Sequence, residues 1–277
     1  MKRPIITLLT DFGTSDHYVA AMKGVILGIC PEAELIDITH DITPYAIAEG
    51  AYTLAQAWRC FPKGTIHLAV VDPGVGSERR AILAEADGHR FVAPDNGLLS
   101  FILRAVPNAA VRQISQPRFF RNAVSRTFHG RDIFAPVSAH VARGIDPKRI
   151  GSVIDDTIEP DFTAIFQEGS TRFLASILKI DRFGNVISNL ESEKFGQIAS
   201  QPFQIRIGRQ TVSTFHPTYS EARPGEIFAL FGSSGFVELS INQSDAAKAL
   251  GVKAGFPITL QLRGKPRTRT RVRLLKR

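Results

Sequence analysis

The chain is predicted to be an α/β protein, with a Rossmann-like amino-terminal domain over residues 1–165 and a small antiparallel β-barrel domain over residues 170–277. Three observations predict it. Strand and helix signals alternate through the first 160 residues or so, the pattern of a layered, mostly parallel sheet. The first strand, residues 5–9, is a short apolar run of the kind found in a sheet buried on both faces. Composition then shifts over residues 160–171, beyond which short strands dominate.

In chain order, Asp16 is placed to cap a helix running to about Ile29, with Val19, Met22, Ile26 and Ile29 on one stripe. A strand over 35–38 and a helix over 46–58 follow. Strands are expected at 66–71, 81–84 and 91–92, then a helix from Asn96 toward Arg104. Residues 132–142 read as a further helix with Ile133, Phe134, Val137 and Val141 inward. In the second half, strands are expected at 173–180, 203–207, 210–214, 226–230, 236–241, 258–262 and 270–275. Gly208-Arg209 supplies a hairpin turn, and one short helix falls at 245–250.

With 277 residues and 44% hydrophobic content, the chain can bury a large core. No apolar run approaches the roughly 18 residues of a membrane span. The basic start, Met1-Lys2-Arg3, leads into an apolar run too short for a secretory signal, and no cleavage site follows. Cys30 and Cys60 are the only cysteines, and both read as reduced core residues of a cytoplasmic protein. The net charge of +8 is local. Eight of the 34 basic residues fall within 263–277, where there is no acid, and the other 26 balance the 26 acids. Arg267, Arg269, Arg271 and Arg273 alternate at strand period, which reads as a solvated edge strand. Contact with nucleic acid or an acidic partner is the rival reading, and the lack of interleaved aromatic residues weakens it.

Five polar loops stand where strands should stop: residues 10–13, 71–76, 93–97, 127–132 and 181–185. Loops held on a rigid scaffold are where chemistry concentrates, so an enzyme or a tight small-molecule binder is expected. Asp72 and Arg79 are spaced for the chain to fold back and pair them, either beside a ligand or to brace a loop. His129 precedes a helix, whose amino end favours neutral imidazole, a proton acceptor near pH 7; a structural hydrogen bond is the plainer role. Asp11, after the first strand, suits the two hydroxyls of a ribose or the capping of the next helix. Asp181 suits an ammonium group and Asn185 the edge of an adenine, though both also favour plain turns. The 232–235 segment, Gly-Ser-Ser-Gly, offers hydroxyls and amides to a carboxylate or is a hairpin loop. There is no GxGxxG fingerprint and no GxxxxGK[ST] phosphate loop. Strand-end Asp, Asn and His also build metallophosphoesterase centres, but no histidines lie at HxH or HxxxH spacing, and no metal is assigned.

Seven segments in this order resemble the S-adenosyl-L-methionine (SAM) hydroxide adenosyltransferases, adenosine-forming SAM hydrolases related to fluorinase and chlorinase. They are Leu9-Thr10-Asp11-Phe12-Gly13, Met22-Lys23-Gly24, Val71-Asp72-Pro73-Gly74-Val75-Gly76, Pro94-Asp95-Asn96-Gly97-Leu98-Leu99, Phe128-His129-Gly130-Arg131-Asp132, Ile180-Asp181-Arg182-Phe183-Gly184-Asn185 and Gly232-Ser233-Ser234-Gly235. The resemblance implies that Asp72, Arg79 and His129 are catalytic and that Asp11 binds ribose. It also implies that Asp181 and Asn185 meet the methionine ammonium and the adenine, and Ser233 the methionine carboxylate. Phe128, Tyr219 and Tyr45 are implied as walls of the ligand pocket. SAM would be substrate, with no cofactor. A homotrimer is implied, with sites at subunit interfaces, and no nucleic-acid or membrane partner. The halogenases resemble Tyr-Pro-Ala-Thr where this chain has Asp72-Pro73-Gly74-Val75 and carry Ser where it has Gly130; Ala93 stands where a Gly is expected.

The implied reaction is attack of water on C5′ of SAM in line with the C5′–S bond. Asp72 and His129 draw off the proton while Arg79 holds Asp72 and stabilises hydroxide-like charge. The alternatives are a halogenase of the same fold using chloride, and a non-catalytic SAM or adenosine sensor.

Overall fold

The computed structural model describes residues 3–263, so the predicted strand at 270–275 and the alternating arginines 267–273 lie outside the described residues. The chain divides into two compact units, Met1–Asp161 and Phe162–Arg277.

The first unit is a seven-stranded sheet with helices. β1 (Ile5–Thr10), α1 (Tyr18–Ile29), β2 (Glu34–Thr39), α2 (Ile47–Ala57), β3 (Ile66–Val70), β4 (Ala81–Ala86) and β5 (His89–Pro94) follow in order. Then come α3 (Ser100–Ala105), β6 (Ala110–Gln113), α4 (Ala135–Ala142) and β7 (Val153–Ile154). Strand order is β2-β1-β3-β5-β4-β6-β7. The β2–β1, β1–β3 and β3–β5 pairings are parallel, whereas β5–β4, β4–β6 and β6–β7 are antiparallel, so the sheet is mixed. This corrects the mostly parallel sheet. The reason is local: β4 and β5 are joined by Asp87-Gly88, both at positive φ (47° and 78°), a two-residue turn that forces an antiparallel pair.

β1 is buried from Ile6 to Thr10, so both its faces are covered. Ile6 and Leu8 share one core cluster with Met22 and Ile26 of α1 and with Val137 and Val141 of α4. Burial of each such aliphatic side chain contributes about 1.5–3 kcal/mol. Asp16 does not cap α1: the cap position is His17, with no side-chain cap bond. The stripe Val19, Met22 and Ile26 is buried as expected, and Ile29 is half-buried. The predicted helix at 132–142 begins instead as a π-turn at Gly130–Phe134 and becomes α-helical at Ala135. Pro136 has no N–H for the carbonyl of Asp132, which accepts the Arg121 amide at 3.0 Å instead; the local register widens, and Ala135 N–H reaches back to Gly130 O. Cys30 is buried, but Cys60 is exposed: it lies on the 3-10 turn after α2, of which Trp58 is the inward residue.

The second unit, among its described residues, makes every pairing between strands antiparallel, with one isolated parallel bridge joining Phe215 to Ala229. It comprises β8 (Phe166–Glu168), β9 (Arg172–Ile180), β10 (Val186–Glu191), α5 (Ser192–Phe195), β11 (Phe203–Ile207), β12 (Gln210–Val212), β13 (Ile227–Phe231), β14 (Phe236–Ile241), α6 (Ala246–Leu250) and β15 (Pro257–Leu262). Order is β12-β11-β15-β9-β10-β14-β13, with β8 beside β9. Beyond β12, Phe215 bridges to Ala229 of β13, so the two end strands approach and the sheet nearly closes as a barrel. Val186, Ile205, Val237, Leu239 and Leu260 fill it. The Gly208-Arg209 hairpin is present, and Asp245 caps α6 by accepting Lys248 N–H at 2.7 Å. β10 was not foreseen because Ser188 and Asn189 interrupt its apolar run. Both are buried and paired, Ser188 Oγ donating to Val237 O at 2.7 Å and Asn189 Nδ2 to Ala164 O at 2.9 Å. Among the described residues no helix is long and apolar enough to cross a membrane.

Candidate active site

Beyond β3 the chain turns back on itself through residues 72–79. Gly76 makes this possible: its φ is +79°, and a Cβ there would lie 2.4 Å from Arg126 O, so no other residue fits. The turn brings Arg79 onto Asp72. Arg79 Nε donates to Oδ1 at 2.9 Å and to Oδ2 at 3.1 Å, and Nη2 also bonds Oδ2. The same Nη2 donates to His129 Nδ1 at 3.1 Å. The two charged side chains are 10% and 5% exposed, and the guanidinium lies 5.1 Å over the Phe134 ring. The three residues expected to be catalytic are therefore in mutual contact through one guanidinium.

Arginine only donates, so His129 Nδ1 accepts, and the neutral ring carries its hydrogen on Nε2. The His129 pKa is lowered, first by burial and then by the Arg79 charge, against opposing pulls from Asp72 and Asp132. Desolvation and a neighbouring cation both favour the neutral ring.

Asp11 follows β1, half-buried, and its Oδ2 accepts Tyr45 N–H at 2.8 Å. Burial raises its pKa, the Tyr45 bond opposes this, and the negative charge of Asp72 adds to the rise. β1 and β3 are neighbours with Thr10 opposite Val70, so Asp11 and Asp72 follow adjacent strand ends. Tyr45 is 72% exposed and sits at φ +68°, a strained backbone for a non-glycine residue that the Asp11 carboxylate helps hold. Phe128 is buried. It meets Tyr18 edge-on at 5.1 Å and Phe12 at 6.1 Å, and with them and Arg131 borders a cavity of about 370 Å³.

In the second unit, Asp181 and Asn185 form the β9–β10 turn. Asp181 Oδ1 accepts the Phe183 and Asn185 amides at 2.9 Å each, and Oδ2 accepts Asn185 Nδ2 at 2.8 Å. Both residues, with Tyr219, line a cavity of about 570 Å³. Ser233 is exposed in the 232–235 turn and is not among the residues lining that cavity. Sequence reasoning passed over Glu238. It is buried on β14, accepts Tyr219 OH at 2.6 Å and Ser240 Oγ at 2.9 Å, and burial pushes its pKa up. A glutamate inside the apolar run 236–241 was the available signal. Among the described residues no group of three or more His, Cys, Asp or Glu is placed to hold a metal ion.

Fold and site together define the class: an enzyme built from an α/β unit and a β-barrel unit, with polar clusters at strand ends. The chain belongs to the SAM hydroxide adenosyltransferase family, whose N-terminal domain matches residues 6–151 and whose C-terminal domain matches residues 175–259. It is 37% identical to the (R)-S-adenosyl-L-methionine hydrolase of Salinispora tropica, over 91% of this chain and 95% of that one. It is 34% identical to the (R)-S-adenosyl-L-methionine hydrolase of Thermus thermophilus, over 93% and 99%. A fluorinase of Nocardia brasiliensis is 27% identical over 94% and 98%. The crystal structure of an uncharacterized conserved protein from Thermotoga maritima superposes with a TM-score of 0.84 at 34% identity, covering 92% of this chain and 99% of that one.

Proposed function

We propose that this protein hydrolyses (R)-S-adenosyl-L-methionine to adenosine and L-methionine. The observation that carries the reading is the single Arg79 guanidinium binding both Asp72 and His129. Sulfonium is already a good leaving group, so the demanding part is making and aiming the nucleophile. Bulk water, with a pKa of about 15.7, is a poor nucleophile at neutral pH. With Nδ1 engaged by Arg79, His129 presents Nε2–H, which holds the water by one lone pair while the other faces C5′. The proton passes to Asp72 as the O–C5′ bond forms, and not to His129 as expected from the sequence, because Nδ1 of that ring already accepts from Arg79 and Nε2 carries the hydrogen. The C5′–S pair goes to sulfur and leaves methionine as a neutral thioether. Arg79 steadies the charge on the carboxylate and on the incipient hydroxide.

In this reading Asp11 holds the ribose, Asp181 the ammonium, Asn185 the adenine and Ser233 the carboxylate, with Phe128, Tyr45 and Tyr219 as walls. The buried Glu238 behind Tyr219 adds negative charge that suits a cationic amino-acid end. SAM is substrate, and no cofactor takes part. A homotrimer with sites shared between copies belongs to the same proposal, as does a cytoplasmic location, which the two free cysteines support.

The test is to incubate the protein with the (R) and (S) epimers of SAM, with and without chloride, and resolve the products. Adenosine and methionine in equal amounts are expected, independent of chloride. A 5′-chloro-5′-deoxyadenosine product, or SAM bound and returned intact, overturns the reading.

A further inference from the structure

We propose that His40, set between Asp37 and Thr10, is a positioning residue for the Asp11 carboxylate. The inference rests on Asp11 binding the ribose of the substrate. His40 is 4% exposed and Thr10 fully buried. Thr10 Oγ1 and His40 Nδ1 are 2.8 Å apart. On the other side of the ring, Nε2 faces Asp37 Oδ1 at 3.0 Å, off the line of a full hydrogen bond, and Lys23 Nζ holds Asp37 Oδ2 at 2.6 Å. A carboxylate only accepts, so the ring hydrogen belongs on Nε2 and Nδ1 is bare. Thr10 therefore donates to Nδ1, and its oxygen accepts the Phe12 amide at 3.2 Å. The carbonyl of His40 receives Gly13 N–H at 2.8 Å. The chain on both sides of Asp11 is thus tied to one residue, by its ring before and by its backbone after.

The order carboxylate, imidazole, hydroxyl looks like a nucleophile relay. Here the hydroxyl is fully buried and its oxygen receives a backbone amide, so the output is conformation rather than attack. The placement comes from a bulge. β1 and β2 pair Leu8 with Asp37 but Leu9 with Thr39, skipping Ile38, which carries His40 into register with Thr10. The sheet pairing up to Thr39 does not need these bonds; they reach only the turn that presents Asp11.

The test measures adenosine affinity by calorimetry and kcat and KM for SAM, on the full chain. Thr10→Val is expected to weaken adenosine binding and raise KM about tenfold, the effect of one buried hydrogen bond, with kcat within about threefold of wild type. Thr10→Ser, which keeps the hydroxyl, restores both. In an Asp11→Asn background Thr10→Val adds little, because the two act as one unit. Should Thr10→Val not fold, His40→Gln carries the same expectation. Unchanged adenosine affinity in a folded variant overturns the inference, as does a loss of kcat at constant KM or a full effect retained without the Asp11 carboxylate. Wild-type protein that neither binds adenosine nor turns over SAM fails differently: it overturns the functional reading, and this inference with it.

Discussion

Arg79→Ala removes the group on which the proposed chemistry turns. Arg79 gives Asp72 two bonds through Nε, at 2.9 and 3.1 Å, and a third through Nη2, and it holds His129 Nδ1 at 3.1 Å. With the pair 10% and 5% exposed, water does little to replace the guanidinium. Stripping one partner from a buried ion pair typically costs about 3–5 kcal/mol, so lower stability is expected as well. Loss of one charge-stabilising donor lowers turnover by about 10²–10³. Arg79 also sets the His129 ring, so the loss should reach the upper end of that range. Adenosine affinity should hold within about threefold, since the Asp11 carboxylate is bonded by Tyr45 and not by Arg79. The titration of His129 gives a second reading. Burial and the Arg79 charge keep His129 neutral below its ordinary 6.5. Without the guanidinium its pKa rises, so the NMR titration of the His129 ring should move to higher pH than in wild type. The assay is single-turnover release of adenosine at 25 °C, on variant whose folding is checked by circular dichroism, beside calorimetric binding. Turnover within tenfold of wild type, or binding that falls in step with turnover, refutes the reasoning.

Two further outcomes follow from structure away from the reacting centre. His67 is buried between Thr7 Oγ1, 2.8 Å from Nδ1, and His89 Nδ1, 3.1 Å from Nε2, and burial pushes its pKa down to about 3. Between pH 6.5 and that value the unfolded chain binds a proton that the native chain refuses, so stability falls by about 1.4 kcal/mol per pH unit from this group. Urea unfolding at pH 7 and pH 5 should show a smaller drop for His67→Phe than for wild type, and equal drops would contradict the assignment. Gly76→Ala forces an alanine into a left-handed backbone at a cost of about 1–3 kcal/mol, before its clash with Arg126 O is counted. Its urea midpoint should fall along with turnover, because the loop that places Arg79 must move; an unchanged midpoint would show that the loop relaxes freely.

Much of the scaffold was legible because its signals are local. Periodicity marked the stripe of α1 and most strands, and the Gly208-Arg209 turn is set by residues within a few positions of one another, although the equally local Asp16 cap does not form. The Asp87-Gly88 turn, which sets β4 antiparallel to β5, was equally local but went unread. β10 escaped because burial of Ser188 and Asn189 depends on partners up to 49 residues away. By itself, then, the sequence determined the element pattern, the polar loops at strand ends and the family those loops resemble. The tertiary structure alone decided which polar residues share a partner and in what state. Arg79 and His129 are 50 residues apart, Thr7 and His67 60, and Thr10 and His40 30. Tautomer, charge and burial are properties of a three-dimensional environment that exists only once those distant segments have met.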